Sequence, residues 1–296
     1  KVIMLETDKM VYLFSEGDAS LKNLLGNKGA NLAEISRLGL PVPPGFIITT
    51  EACRKYFKSG NKIWPELEQE IRQGLTRLEQ ETGRKFGSSR PLLLSVRSGA
   101  VVSMPGMMDT ILNLGLNSST LEALAEETSN RRFALDCYRR FIQMFAEVVL
   151  KVEHRRFENI LDEAKRRQKV YVDSDLTEQS LQEVVDSYLT LVSRETGTEF
   201  PSDPVKQLLL AVQAVFDSWN TPRAMIYRQV NRIPDDLGTA VNVQAMVFGN
   251  LNEQSGTGVA FTRNPSTGDP RLYGEYLLNA QGEDVVAGVR TPNPLD

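Results

Sequence analysis

A chain of 296 residues with 41% apolar and 24% charged side chains exceeds one ordinary domain and can bury a sizeable core, which excludes a disordered or fibrous protein. Its 34 basic and 38 acidic residues leave a formal charge of -4, which argues against a nucleic-acid surface or a polybasic membrane anchor, and no apolar run reaches membrane-spanning length. Two cysteines, Cys53 and Cys137, and the single His154 fit a reducing compartment, cytoplasmic or organellar, and exclude a cysteine zinc site, a histidine-rich metal centre and a histidine-based triad.

VYLF at 11–14 alternates like an edge strand. Gly26, Lys28 and Gly29 form a small loop before a helix of sequence ANLAEISRL, which Gly39 and Pro41 stop. Val42-Pro43-Pro44-Gly45 is a stiff turn into a strand, FIITT, after which Thr50 is expected to cap a helix with Glu51 in its first turn. In 65–82 the apolar positions Leu67, Ile71, Leu75 and Leu78 mark one helical face. Leu92, Leu93, Leu94 and Val96 read as a buried strand that stops at Arg97, where Ser98-Gly99-Ala100, Pro105 and Gly106 break the backbone into a phosphate-handling loop. Helical signals dominate from Thr120 to Lys169. The densest part, RFALDCYRRFIQMFAEVVLKV, is apolar on more than one stripe, with Phe141 and Phe145 as core; Arg139 and Arg140 are within reach of phosphate chemistry but are expected rather to pair with Asp136 and Glu147. Helices follow in TEQSLQEVVDSYLTLVSRET and DPVKQLLLAVQAVFDSW. From Thr239 the pattern turns to strands, TAVNVQAMVFG, GTGVAFTR, RLYGEYLLNA and DVVAGVR. His154, in EHRRFE, reads as a solvated helix residue. The order, mixed then helical then mixed, gives an α+β (mixed α/β) fold.

No Walker-type loop and no G-x-G-x-x-G between a strand and a helix occurs, so P-loop and Rossmann chemistry is excluded. What remains is a set of separated anion-friendly loops: GNKG with Lys28 at a helix start, VRSG with Arg97, and SGTG at 255–258 before a strand. A guanidinium offers phosphate two parallel N–H bonds and a permanent charge, and an ammonium adds a point charge. A lysine in a surface turn is more often solvated than catalytic, and an arginine at a strand end is more often in a rim ion pair, so each loop alone is weak evidence.

Together the stretches LLGNKGANLAEISRLGLPVPPGF, SVRSGAVVSMPGMMDTILNLGLN, RFALDCYRRFIQMF, FDSWNTPRAMIYR, GTAVNVQAMVFGN, SGTGVAFTRNPSTGD and YGEYLLNAQGEDVVAGVRTP carry a resemblance along almost the whole chain. The chain resembles the N-terminal nucleotide-binding domain family of the pyruvate, phosphate dikinases. MPGMMDTILNLGLN and NAQGEDVVAG set it apart from the related phosphoenolpyruvate synthases and rifampicin phosphotransferases. The resemblance implies an ATP-grasp-like clamp with an inserted helical subdomain: residues 1–116, continued by 203–247, as the first lobe; 117–202 as the insertion; and 248–296 as a second lobe, incomplete at its C-terminal end.

In residue terms it implies that Lys28 and Arg97 are catalytic and contact the nucleotide phosphates, that Gly99 lines the phosphate loop, and that Gly106 belongs to a loop covering it. Thr257 and Gly258 would form a second phosphate-side loop. Gln244, Ala245 and Met246 would hold adenine through main-chain groups and an apolar flank. Two departures from the family pattern are Asn27, where a glycine is usual, and Val101, where a smaller or more polar residue is common; Asn tolerates left-handed angles, which spares the first turn.

The resemblance also implies Mg2+ with ATP, its ligands and those of the outer phosphates lying beyond Asp296. The implied partners are ATP and AMP, a phosphohistidine carrier domain, and a pyruvate- or phosphoenolpyruvate-binding domain of the same longer, homo-oligomeric chain, with no nucleic acid or membrane. The reaction would interconvert ATP, pyruvate and phosphate with AMP, phosphoenolpyruvate and diphosphate. The alternatives are a truncated or regulatory nucleotide-binding module without turnover, and a phosphoenolpyruvate synthase-type phosphotransferase.

Overall fold

The structure, a computed structural model, describes residues 9–286 and 291–295. Two antiparallel sheets and a group of helices make the α+β architecture that the sequence pattern predicts.

The chain enters through edge strand β1 (Val11–Leu13), helix α1 (Lys22–Arg37) and strand β2 (Gly45–Ile48). Helix α2 (Thr50–Lys58) follows, and its cap is Thr49 rather than Thr50. Thr49 has the extended backbone a cap needs (φ -71°, ψ 162°) and its hydroxyl accepts from the Ala52 amide at 3.2 Å, whereas Thr50 already turns with the helix and donates to the Asn23 carbonyl. Thr49→Ala should therefore cost about 1 kcal/mol in urea denaturation; an unchanged midpoint would place the cap elsewhere.

Helix α3 (Pro65–Thr82) has the predicted limits: proline opens it, Glu66 and Glu68 sit in its first turn, and left-handed Gly83 ends it. Strands β3 (Leu94–Ala100) and β4 (Thr110–Leu114) come next. The helical segment then runs through α4 (Ser118–Thr128), α5 (Arg131–Val148), α6 (His154–Gln168) and α7 (Glu178–Thr196). Helices α8 (Pro204–Ser218) and α9 (Pro222–Asn231) return the chain to the first sheet as β5 (Thr239–Ala245). A second sheet is built from β6 (Gly256–Phe261), β7 (Tyr273–Leu278) and β8 (Asn293–Pro294), with the short helix α10 (Gly282–Val286) between the last two. The strand expected in DVVAGVR is thus a helix at 284–286, and 287–290 lie outside the described residues.

In the first sheet the order is β1-β2-β5-β3-β4, so the last strand of the five in sequence stands at the centre. Strand alternation then sorts its faces. Val11, Phe46, Ile48, Val96, Ile111, Val241 and Val243 belong to the main core, beneath α2, α3 and α8. Ile47 and Ala240 face the other way and meet Leu25 and Ala30 of α1. The main core continues without interruption into the helical segment, where Phe141 and Phe145, both fully buried, stack edge-on with each other and with Phe200.

Arg139 and Arg140 both bind Asp136, as expected, at 2.7 and 3.0 Å. Glu147 is not their partner: it pairs with the exposed ring of His154 at 2.6 Å, and Glu158 pairs with the other ring nitrogen. Partial burial lowers the His154 pKa, but these two carboxylates outweigh it and hold the imidazole above its ordinary value. No helix among the described residues is long and apolar enough to cross a membrane.

Candidate functional site

Helix α1 is kinked at Gly26, whose backbone (φ 71°, ψ 168°) is not helical and is open to glycine but not to a side chain. The reason is contact as well as torsion: a Cβ on Gly26 would lie 1.7 Å from the Gly99 carbonyl oxygen. The kink therefore lays the GNKG turn directly on β3, and Lys28 falls in the first turn of the helix that resumes beyond it.

Arg97 does not stand at a strand end. It lies inside β3, which runs on to Ala100, and is paired with Thr110 of β4 and Asn242 of β5. The small residues after it keep the strand extended because close packing needs them small: a Cβ on Gly99 would come 2.4 Å from the Asn242 Nδ2, and the Gly99 amide donates to the Thr239 hydroxyl at 3.2 Å. Residues directly opposite in an antiparallel pair share a face. Arg97, Asn242 and Ile47 are one such row, so the guanidinium is on the side of the sheet that α1 covers.

Lys28 and Arg97, some 70 residues apart in sequence, are thereby neighbours in the fold. The Lys28 side chain keeps exposed surface, yet enough protein surrounds its ammonium for desolvation to lower its pKa, and the like charge of Arg97 lowers it further. An arriving anion would relieve both effects, since it stabilises the charged form.

Gly106 is at the exposed tip of the loop joining β3 to β4, with φ 70° and nothing within 4 Å of a Cβ, so glycine is there for its backbone alone. The loop is anchored beside this tip. Met104 is buried against Ala100, Trp219 and Ala224, and Arg223 donates to the Met107 carbonyl at 3.1 Å and pairs with Asp109 at 2.5 Å. Beneath it, the Arg228 guanidinium lies 4.1 Å from the Trp219 ring centroid and pairs with Asp235 at 2.7 Å. This floor is the structural content of the stretch FDSWNTPRAMIYR.

At the end of β5 the Ala245 and Met246 amides donate to the carbonyls of Pro44 and Leu93, each at 2.9 Å, and the Gln244 side chain donates to the Pro43 carbonyl at 2.9 Å. Those two main-chain donors are already committed to holding the strand. Thr257 and Gly258 lie on β6, in the other hydrogen-bonded sheet. A cavity of about 440 Å³ lies elsewhere, between α5, α6 and residues 279–284; Asp136, Arg139, Arg140, Glu147 and His154 line it, and none of the residues expected to bind nucleotide does.

The residue that sequence reasoning missed is Asn242. Its signal was present in TAVNVQ, a polar side chain alternating with the buried Val241 and Val243. Among the described residues no group of three or more His, Cys, Asp or Glu side chains is placed to hold a metal ion.

The chain is similar to known proteins along nearly its whole length. Residues 22–79 and 61–295 match the family described as pyruvate phosphate dikinase, AMP/ATP-binding domain. The chain is 57% identical over 289 residues to the pyruvate, phosphate dikinase of Clostridium symbiosum, covering 97% of this chain and 33% of that protein. It is 55% identical over 292 residues to the Rhizobium meliloti (strain 1021) protein of the same name, and 54% over 293 residues to the chloroplastic one of Mesembryanthemum crystallinum, covering 97% of this chain in both cases and 32% and 31% of those proteins. The chain thus spans about a third of the length of the curated relatives it matches.

Proposed function

The chain belongs to the family of pyruvate phosphate dikinase AMP/ATP-binding domains, and from that premise we propose that it binds ATP and delivers phosphoryl groups to a carrier histidine on another domain of a longer enzyme. That enzyme would interconvert ATP, pyruvate and phosphate with AMP, phosphoenolpyruvate and diphosphate. The observation that carries the reading is the convergence of the Lys28 turn and the Arg97 strand on one face of the first sheet. Phosphoryl transfer asks a protein mainly for positioning and for neutralisation of spreading charge, and a lysine and an arginine held side by side supply the charge. No nucleophile is needed on this chain, because the carrier histidine accepts the group.

In this reading Lys28 and Arg97 bind the phosphates, the Gly99 segment and the Gly106 loop lie against them, and Thr257-Gly258 approaches from the second sheet. Gln244, Ala245 and Met246 would hold adenine through carbonyl oxygens and their apolar flank, since the Ala245 and Met246 amides are in use. Magnesium enters as the Mg-ATP substrate complex, and no step is assigned to a resident ion. The division into a first lobe (1–116 with 203–247), a helical insertion (117–202) and a second lobe (248–296) of an ATP-grasp-like clamp belongs to the same proposal. So do the cytoplasmic or organellar location, the homo-oligomeric whole enzyme and its pyruvate-binding domain.

Calorimetric titration of the full-length protein with a non-hydrolysable Mg-ATP analogue tests the binding step. Saturable binding that adenosine alone does not match is expected, because each tenfold of affinity contributed by the phosphate contacts is worth about 1.4 kcal/mol. Equal affinity for adenosine and the analogue would remove the phosphate site from Lys28 and Arg97.

A further inference from the structure

This inference rests on the phosphate-site reading above and concerns the side chain caught between its two basic segments. Asn242 is 1% exposed and stands on the α1 face of β5, in register with Arg97 on one side and Ile47 on the other. Its Nδ2 donates to the Arg97 carbonyl at 3.5 Å, while its buried Oδ1 has no hydrogen-bond partner among the described residues.

Two glycines make room for this carboxamide. A Cβ at Gly99 would lie 2.4 Å from Nδ2, and a Cβ at Gly29, next to Lys28, would lie 2.9 Å from Oδ1. The Lys28-Gly29 turn and the Arg97–Gly99 strand therefore close on one and the same side chain.

A buried polar atom between two basic segments ordinarily invites a carboxylate. Here the Lys28 ammonium is disfavoured by desolvation and by the Arg97 charge, and no carboxylate among the described residues acts on Lys28 to raise its pKa again. A carboxylate at 242 would be isosteric with the residue present and would set a negative charge between the Lys28 turn and Arg97 before any ligand arrived. The side chain found there is instead neutral.

We propose that Asn242 is a positioning residue for the phosphate site, a neutral carboxamide that fixes the Lys28 turn against the Arg97 strand and leaves the Lys28 charge available to a nucleotide phosphate.

The test is Asn242→Asp in the full-length protein, read by calorimetry with the non-hydrolysable Mg-ATP analogue and by thermal melting. The dissociation constant should rise about tenfold or more while the melting temperature holds or rises, because the new carboxylate offsets the positive charge of Lys28 and Arg97. Asn242→Ser, smaller but neutral, should stay within about threefold of wild-type affinity. In a double-mutant cycle with Lys28→Gln, the two losses should be markedly less than additive, since the carboxylate acts by removing a charge that the glutamine has already removed. Wild-type affinity in Asn242→Asp, a loss of its fold, a Ser variant as weak as the Asp variant, or additive losses would each overturn the proposal. Should Lys28→Gln alone leave nucleotide affinity unchanged, the phosphate-site reading itself falls, an outcome distinct from failure of the Asp variant in a protein where Lys28 matters.

Discussion

Alanine at Lys28 or Arg97 in the full-length enzyme should slow transfer of a labelled phosphoryl group from ATP to the carrier histidine by about 30- to 1000-fold. On the proposed reading each replacement removes a charge-assisted contact that strengthens as charge spreads over the transferring group, worth roughly 2 to 4 kcal/mol of barrier. At 1.36 kcal/mol per tenfold that is about 30- to 1000-fold per residue. Stability should move far less for Lys28→Ala, because the side chain is exposed and its ammonium is held in an unfavourable environment by desolvation and by Arg97. Arg97 is half-buried inside β3, so its alanine variant should lose some stability as well. Wild-type rates of histidine labelling in either variant would sink the assignment of that residue.

Asp136→Asn should cost about 3 to 5 kcal/mol, the range found when one partner of a buried ion pair is removed. Asp136 is 5% exposed, and it binds Arg139 at 2.7 Å and Arg140 at 3.0 Å. Arg139 reaches on to Asp173 and Arg140 to Asp284, so one carboxylate ties α5 to the connection before α7 and to α10. Burial opposes its ionisation, yet Arg140 and Arg139 overcome that and hold its pKa well below the usual carboxylate range. A group depressed in the folded state contributes stability that is complete above its unfolded pKa of about 4 and is lost as pH falls through the folded value. Urea midpoints at neutral pH should therefore fall in Asp136→Asn, and below about pH 4 the gap to wild type should narrow. A gap that widened on acidification would mean that Asp136 is neutral in the fold.

How much of this was legible in the sequence depended on the range over which each feature is decided. Helix α3 was readable to the residue, because Pro65, the first-turn glutamates, the Leu67-Ile71-Leu75-Leu78 stripe and Gly83 are all local. The burial of Phe141 and Phe145 was readable for the same reason. Arg97 was placed at a strand end because Ser98-Gly99-Ala100 looks like a loop; the strand continues because β5 pairs with it through Ala100, and that partner lies about 140 residues away. The segment at 284–286 was too short for periodicity to separate helix from strand. Lys28 and Arg97 were each visible as residues suited to phosphate, but no local pattern could bring them together. That took the Gly26 kink against Gly99, and the resemblance to the dikinase family had anticipated only its outcome. Asn242 escaped notice because its importance depends on the two glycines that face it from other elements.

The central place of β5 also sets a timetable. A ribosome releasing this chain delivers β2 and β3 long before their shared neighbour, so β2 waits with an open edge for roughly 190 further residues and β3 for roughly 140. Pairing across such a sequence distance is slow, because a long loop must close before any contact rewards it, and waiting edges are where nascent chains stick to one another. The helical segment emerges in that interval, and its residues share the core against which β5 later seats Val241 and Val243. Insertion of β5 is also what sets Asn242 between the Lys28 turn and Arg97. On the proposed reading the phosphate site is thus among the last parts of the chain to be completed, and holding phosphate would report that the central sheet has already closed.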